Sequence, residues 1–178
     1  HVDYLDAAIV RVGTEIATRL RVDDDTLDRL ATIPGVGRRI AEIVAAELGL
    51  EVGRFPTAGH LAAWAGLAPG NYESAGKRLG GKTRQGSVWL RTALVEAAQA
   101  AAHTKDTYLA AQYRRLAARR GAKRAVVAVA HTILTIIYHL PRDQTTYREL
   151  GGQYFDERDR QATERRLVRR LEALGNRV

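Results

Sequence analysis

The stretch LATIPGVGRRIAEIVAAELG, Leu30–Gly49, leaves the chain few choices. Pro34, Gly35 and Gly37 break any regular element. The residues after the break carry apolar side chains at helical spacing, with Ile40, Ile43, Val44 and Leu48 on one face and Gly49 placed as a C-cap. Two helices joined by so short a break must fold back on each other. The same grammar recurs along the chain. Tyr4, Leu5, Ala8, Ile9, Val12, Ile16 and Leu20 form one apolar stripe. Asp23, Asp24 and Asp25 supply an N-cap and negative charge for a short helix over 26–32. Pro56 and Thr57 open a helix reaching about Ala65.

Further helices are expected from Val88 to about Thr104, from Thr107 to Arg120 with a stop at Gly121, and from Ala122 to Leu140 with a stop at Pro141. After an irregular stretch, the spacing predicts one charged helix over Glu157–Leu174 with Leu167, Leu171 and Leu174 as a thin stripe. No segment shows strand alternation. Apolar residues make up 46% of the chain but aromatics only 6%, and alanine and leucine carry much of the apolar share. That composition suits close-packed helices better than a sheet. The expected fold is all-α: a compact helical domain with a helix-hairpin-helix-like element, preceded by a helical arm and followed by a C-terminal helix. The expected division is an arm over 1–22, either the end of a linker or part of a coiled coil, a helical domain over 23–140 and an extension over 141–178.

The 178 residues carry a net charge of +8, and the pI is about 10.2. Such a basic excess points to a polyanionic partner, nucleic acid first. Without cysteine the chain has no disulfide, no thiolate nucleophile and no cysteine-ligated metal. It has no methionine and starts at His1, which reads as a fragment or a processed product. Nothing resembles a signal peptide. The most apolar run, Ala125–Leu140, is too short to span a bilayer and reads as a buried helix, so no membrane partner is expected.

Three segments suit polyanions. In the first, the glycines of IPGVG let the backbone approach a phosphate, and the following helix start offers free N–H groups beside Arg38 and Arg39. The alternative is a helical hairpin whose glycines only make the turn. The second is NYESAGKRLGGKTRQGS, residues 71–87, with Lys77, Arg78, Lys82 and Arg84 among glycines. It reads as a mobile basic grip, and Arg91 on the following helix either braces it or meets a phosphate. A lone serine in such a loop is ordinarily a polar loop residue, and no histidine lies near Ser74 in sequence to build a triad. The third is TYLAAQYRRLAARRGAKRA, where Arg114, Arg115, Arg119, Arg120, Lys123 and Arg124 surround Tyr108 and Tyr113. Here the tyrosines either stack on unpaired bases or pack as core. The histidines form no metal pattern, and no metal is assigned to this chain.

The combination of IPGVG, AWAGLAP, a serine followed by a small residue, Gly and Lys, and then WLRTALVEAA resembles the C-terminal domain of the bridge-RNA-guided insertion-sequence transposases. The similarity runs from about Leu27 to Ala102, and YFDERDRQATERRLVRRLEALG also looks like that family's C-terminal end. The resemblance implies a DNA recombinase in which Ser74 is the nucleophile and forms a covalent phosphoserine link to DNA. It implies that Mg2+ is held by acidic residues of a RuvC-like N-terminal half, which is not recognised in this sequence, so that this fragment alone is inactive. The implied partners are DNA, guide (bridge) RNA and further protomers in a homo-oligomer, in a bacterial cytoplasm. Where the family more often shows Ser-Gly-Gly-Lys, this chain has Ser74-Ala75-Gly76-Lys77. The other reading is a non-catalytic helix-hairpin-helix module that only holds DNA or RNA.

Overall fold

A computed structural model describes residues 1–20, 24–49, 52–70, 72–81, 83 and 85–175, with the backbone alone at 52, 72–74 and 77–80. Among these residues the architecture is helical. The elements are α1 (Val2–Leu20), α2 (Asp24–Ala31), α3 (Arg38–Leu48), α4 (Ala58–Trp64), a hairpin of β1 (Tyr72–Ser74) and β2 (Lys77–Gly80), α5 (Val88–His103), α6 (Tyr108–Arg120), α7 (Ala122–Asp143), α8 (Tyr154–Arg158) and α9 (Arg160–Ala173).

Three helix starts follow side-chain chemistry. Thr57, Ser87 and Thr107 each accept a hydrogen bond from the backbone N–H three residues on, which satisfies a donor the helix cannot. Gly49 and Gly121, both at positive φ, close α3 and α6. Asp23, expected as a cap, lies outside the described residues; Asp24 and Asp25 occupy the first turn of α2.

The core forms where α5 and α7 meet. α7 packs against α2, α4, α5 and α6, and α5 also packs against α3 and α6. Leu90, Leu94, Ala97 and Ala101 of α5 and Val129, Ile133, Leu134 and Ile137 of α7 are buried. The many alanines bring the helix backbones close. The buried face of α3 is Ala41, Val44, Ala45 and Leu48, rotated from the expected one so that Ile40 only borders the core and Ile43 is half-buried. The α2–α3 turn fits this packing. A Cβ at Gly35 would fall 2.2 Å from the Ala97 carbonyl oxygen and 2.8 Å from the Ala101 nitrogen. That glycine is consumed by contact with α5.

Three expectations need correction. α7 does not stop at Pro141 but runs to Asp143, where Gln144 turns left-handed and its N–H caps the Leu140 carbonyl. A proline in the last turn removes one hydrogen bond without blocking the turn's completion. At 22 residues α7 is also long and apolar enough to cross a membrane by length and composition, yet its buried face is the centre of this core. The charged tail is two helices, interrupted at Asp159. In the arm over 1–22, Tyr4, Leu5, Ile9 and Val12 of the apolar stripe stand exposed, and Leu20 alone of that stripe reaches the core.

The clearest departure from a purely helical chain is the hairpin. Its strands are antiparallel, with Ser74 opposite Lys77 and Glu73 opposite Arg78, and a register shift between Tyr72 and Glu73. Ala75 and Gly76 form the two-residue turn at φ +50° and +72°, the left-handed pair that matches strand twist.

Candidate nucleic-acid interface

The hairpin leaves the core at Pro69 and returns at Gly86, and both ends are fixed. A Cβ at Gly86 would lie 2.3 Å from the Ala65 carbonyl carbon and 2.4 Å from the Gly66 nitrogen. The chain therefore returns in direct contact with the α4 C-terminus. Ser87 then caps α5 and donates a 2.6 Å hydrogen bond to the Glu47 carboxylate on α3. Arg91, one turn into α5, donates from Nη1 to the Gly66 carbonyl and to Thr83 Oγ1, both at 2.9 Å. Of the two roles open to Arg91 from sequence, bracing the loop is the one its hydrogen bonds perform.

The backbone of β1 ends at Ser74, immediately before the turn, and Lys77 and Arg78 open β2. Lys82 and Arg84 lie outside the described residues. Beside the base of the hairpin opens a cleft of about 790 Å³. Leu67, Pro69, Gly81 and Thr83 form one wall, and Arg120, Lys123 and Arg124 at the α6–α7 corner form the other. Arg91, Val127, Ala128 and His131 complete it. No carboxylate lines it among the described residues. Half-burial of His131 disfavours its charged form and lowers its pKa from the usual value.

The remaining residues expected to meet nucleic acid are dispersed. Arg38 is held by Asp24, Asp28 and Glu42, and the hydrogen bond it donates to Asp24 foremost raises its pKa. Arg39 reaches Glu42 at 3.5 Å. Arg114 is exposed on α6. Arg115 pairs with Asp159 at 3.4 Å and lies over the Phe155 ring, so it ties α6 to the C-terminal helices. Tyr108 stacks on Phe155 and meets Tyr154 edge-on, and Tyr113 packs against the core. Both tyrosines are thus engaged inside the chain. Among the described residues, no three His, Cys, Asp or Glu side chains are grouped as a metal site would need.

One residue beside the loop gave no signal in sequence. Trp89, in the first turn of α5, is 75% exposed, next to an equally exposed Val88. In sequence it is one apolar residue of a helix, and only the packing shows it facing outward.

Residues 27–114 match the family described as Transposase IS116/IS110/IS902. A "Probable family 20 transposase" of Pseudomonas aeruginosa is 33% identical over 148 residues, covering 81% of this chain and 43% of that protein. The transposase for insertion sequence element IS1111A of Coxiella burnetii is 34% identical over 147 residues, covering 80% of this chain and 40% of that protein. The transposase for insertion sequence element IS1328 of Yersinia enterocolitica is 35% identical over 100 residues, 56% of this chain and 29% of that protein. The chain thus spans less than half the length of these relatives. The matched segment runs from α2 through the hairpin and α5 into α6. Over residues 27–114 this chain is thus homologous to the IS116/IS110/IS902 transposases.

Proposed function

We propose that this chain is the part of a DNA transposase that supplies a serine nucleophile for strand cleavage and exchange. The observation that carries the reading is the position of Ser74, at the turn of a hairpin braced at its base beside a cation-lined cleft, within the segment shared with transposases. In the proposed step the Ser74 hydroxyl attacks a DNA phosphorus. A Ser74 Oγ–P bond forms, one bond from phosphorus to a deoxyribose oxygen breaks, and that oxygen leaves as a hydroxyl after taking a proton. Attack by a free DNA hydroxyl on the phosphoserine reverses the step and joins a new strand. Lys77, Arg78, Lys82 and Arg84 contact the backbone around the reacting phosphate. A guide RNA selects the site, and further protomers complete the assembly in the bacterial cytoplasm. On this reading Mg2+ is held by acidic residues of a RuvC-like region outside these 178 residues. There it would stabilise phosphoryl charge.

Full-length protein with guide RNA and divalent metal is expected to form a covalent DNA–protein adduct. Ser74→Ala is expected to abolish the adduct while DNA is still bound. Normal recombination by Ser74→Ala overturns the assignment. The non-catalytic helix-hairpin-helix alternative is favoured by one feature, the open surroundings of Gly37 at the α3 start. It is weakened by Gly35, which is committed to α5, and by Arg38, which is committed to carboxylates.

A further inference from the structure

Among the described residues some arginines and lysines are ion-paired and others are not. Arg19, Arg38, Arg39, Arg115 and Arg160 each meet a carboxylate. Arg120, Lys123 and Arg124 show no ion pair among the described residues, and they converge on one cleft. Three cations sharing one cleft with no carboxylate on its described lining focus a positive field that attracts an anion from solvent.

The cleft's shape narrows what that anion is. Its volume of about 790 Å³ equals that of roughly 25 water molecules at about 30 Å³ each, far more than a single inorganic phosphate occupies. Lys123, Arg124, Val127, Ala128 and His131 lie at helical spacing on one face of α7. At 1.5 Å per residue they extend about 12 Å along the helix axis. In duplex DNA one strand carries a charge about every 3.4 Å of axis, so a groove of this length spans several phosphates. Its cations gather at one end, while Val127 and Ala128 on one side and Leu67 and Pro69 on the other offer apolar walls. A cationic end continued by apolar walls suits a sugar–phosphate strand, phosphates meeting the cations and sugars the walls. The α7 N-terminus adds to this: Gly121 provides no side-chain cap, leaving first-turn N–H groups and the positive dipole end beside the same cations.

We infer that this cleft seats the backbone of a DNA strand, with Arg120, Lys123 and Arg124 as its phosphate contacts. Resting on the reading that the hairpin presents Ser74 to DNA, the cleft fixes the strand beside the hairpin base, and Arg91 holds the wall that carries Thr83.

The test uses the 178-residue chain and labelled single-stranded DNA, duplex DNA and RNA of one sequence, titrated over a range of KCl. The variant Arg120→Gln/Lys123→Gln/Arg124→Gln is compared with Arg166→Gln/Arg169→Gln/Arg170→Gln on α9, which removes the same charge elsewhere. Both replace exposed helical positions with a good helix former, and Lys123→Gln alone serves should the cleft triple fail to fold. Each phosphate contact contributes about 0.7 to the salt slope on a single strand and about 0.9 on duplex DNA. The cleft triple is expected to lower the DNA slope by about 2 to 3, Lys123→Gln by just under 1, and the α9 triple by less than 1. Equal losses for the two triples overturn the cleft as a site, as does an unchanged DNA slope or a loss confined to RNA. A failed adduct assay for Ser74 overturns the nucleophile and leaves these slopes standing, so the two failures are separable.

Discussion

At the scale of single residues, backbone geometry around the hairpin decides what each position accepts. Ala75 sits at φ +50°, where an L side chain costs about 1–2 kcal/mol against right-handed conformations. This is the position at which the resembled family more often carries glycine. Ala75→Gly is expected to stabilise the closed hairpin by about 1 kcal/mol once glycine's extra entropy is subtracted, slowing amide exchange at residues 72–80 roughly fivefold. Unchanged exchange would show that the turn is not the left-handed pair. Gly86 makes the opposite demand. A methyl there meets backbone atoms of Ala65 and Gly66 between 2.3 and 2.6 Å, and backbone cannot swing aside as a long side chain can. Gly86→Ala is expected to cost at least the 1–3 kcal/mol typical of overpacking in urea denaturation. Gly59→Ala is the matched control: within α4 its new methyl meets nothing nearer than Thr57 Oγ1 at 3.5 Å, and a gain of about 0.5–1 kcal/mol is expected.

Between elements, the segment after α7 acts as a strap. Arg29 donates to the Gln144 carbonyl, and the Tyr147 N–H donates to Thr32 Oγ1 at 3.0 Å, which fastens the strap to the end of α2. Glu149 then accepts from the Tyr108 N–H at 2.7 Å, the Gly151 N–H at 2.8 Å and the Tyr147 phenol at 3.2 Å. Its carboxylate therefore sits on the positive end of α6. Burial first, then the Glu149 charge, raises the Tyr147 pKa above its ordinary value. Because Glu149 is itself exposed, Glu149→Ala is expected to cost only about 1 kcal/mol. The cost should appear as faster exchange at the first amides of α6, with the core unaffected. Uniform loss across α5 and α7 would mean that the strap is part of the global unit.

The strap also shows how far local sequence reading reaches. Helix ends carried by one capping side chain or glycine, such as Thr57, Thr107, Gly49 and Gly121, were legible because their chemistry lies within a few residues. The strap was not, since its bonds join positions 115 and 41 residues apart. The hairpin was hidden for a related reason. Its strands are three and four residues long, its turn lacks an Asn-Gly signal, and a register shift disturbs the alternation. The basic run through Lys123 and Arg124 was visible as charge. That it faces the loop, whereas Arg115 faces Asp159, is a matter of helix rotation that composition does not record.

On the scale of the whole molecule, α7 belongs to two structures at once. One face, through Val129, Ile133 and Ile137, is the centre of the core, and the adjoining face, through Lys123, Val127 and His131, is a wall of the cleft. Core packing thereby sets the position of the cleft's cations relative to the hairpin, and whatever charges the cleft also taxes the fold. His131 makes this measurable. Its pKa lies below the ordinary 6.5 because burial disfavours the imidazolium, and Arg91, Arg120, Lys123 and Arg124 line the same cleft. Between the lowered folded value and 6.5 the unfolded chain binds more protons than the folded one, so stability rises with pH across that window. It is complete above about pH 7, falls as pH drops below 6.5, and stops falling once His131 is protonated in the folded chain as well. One group contributes at most about 1.4 kcal/mol per pH unit. Urea midpoints are therefore expected to fall between pH 7.5 and 5.5 in the parent chain and to fall less in His131→Gln. Equal falls in the two proteins would place the titration elsewhere and remove His131 as the link between the cleft's charge and the stability of α7.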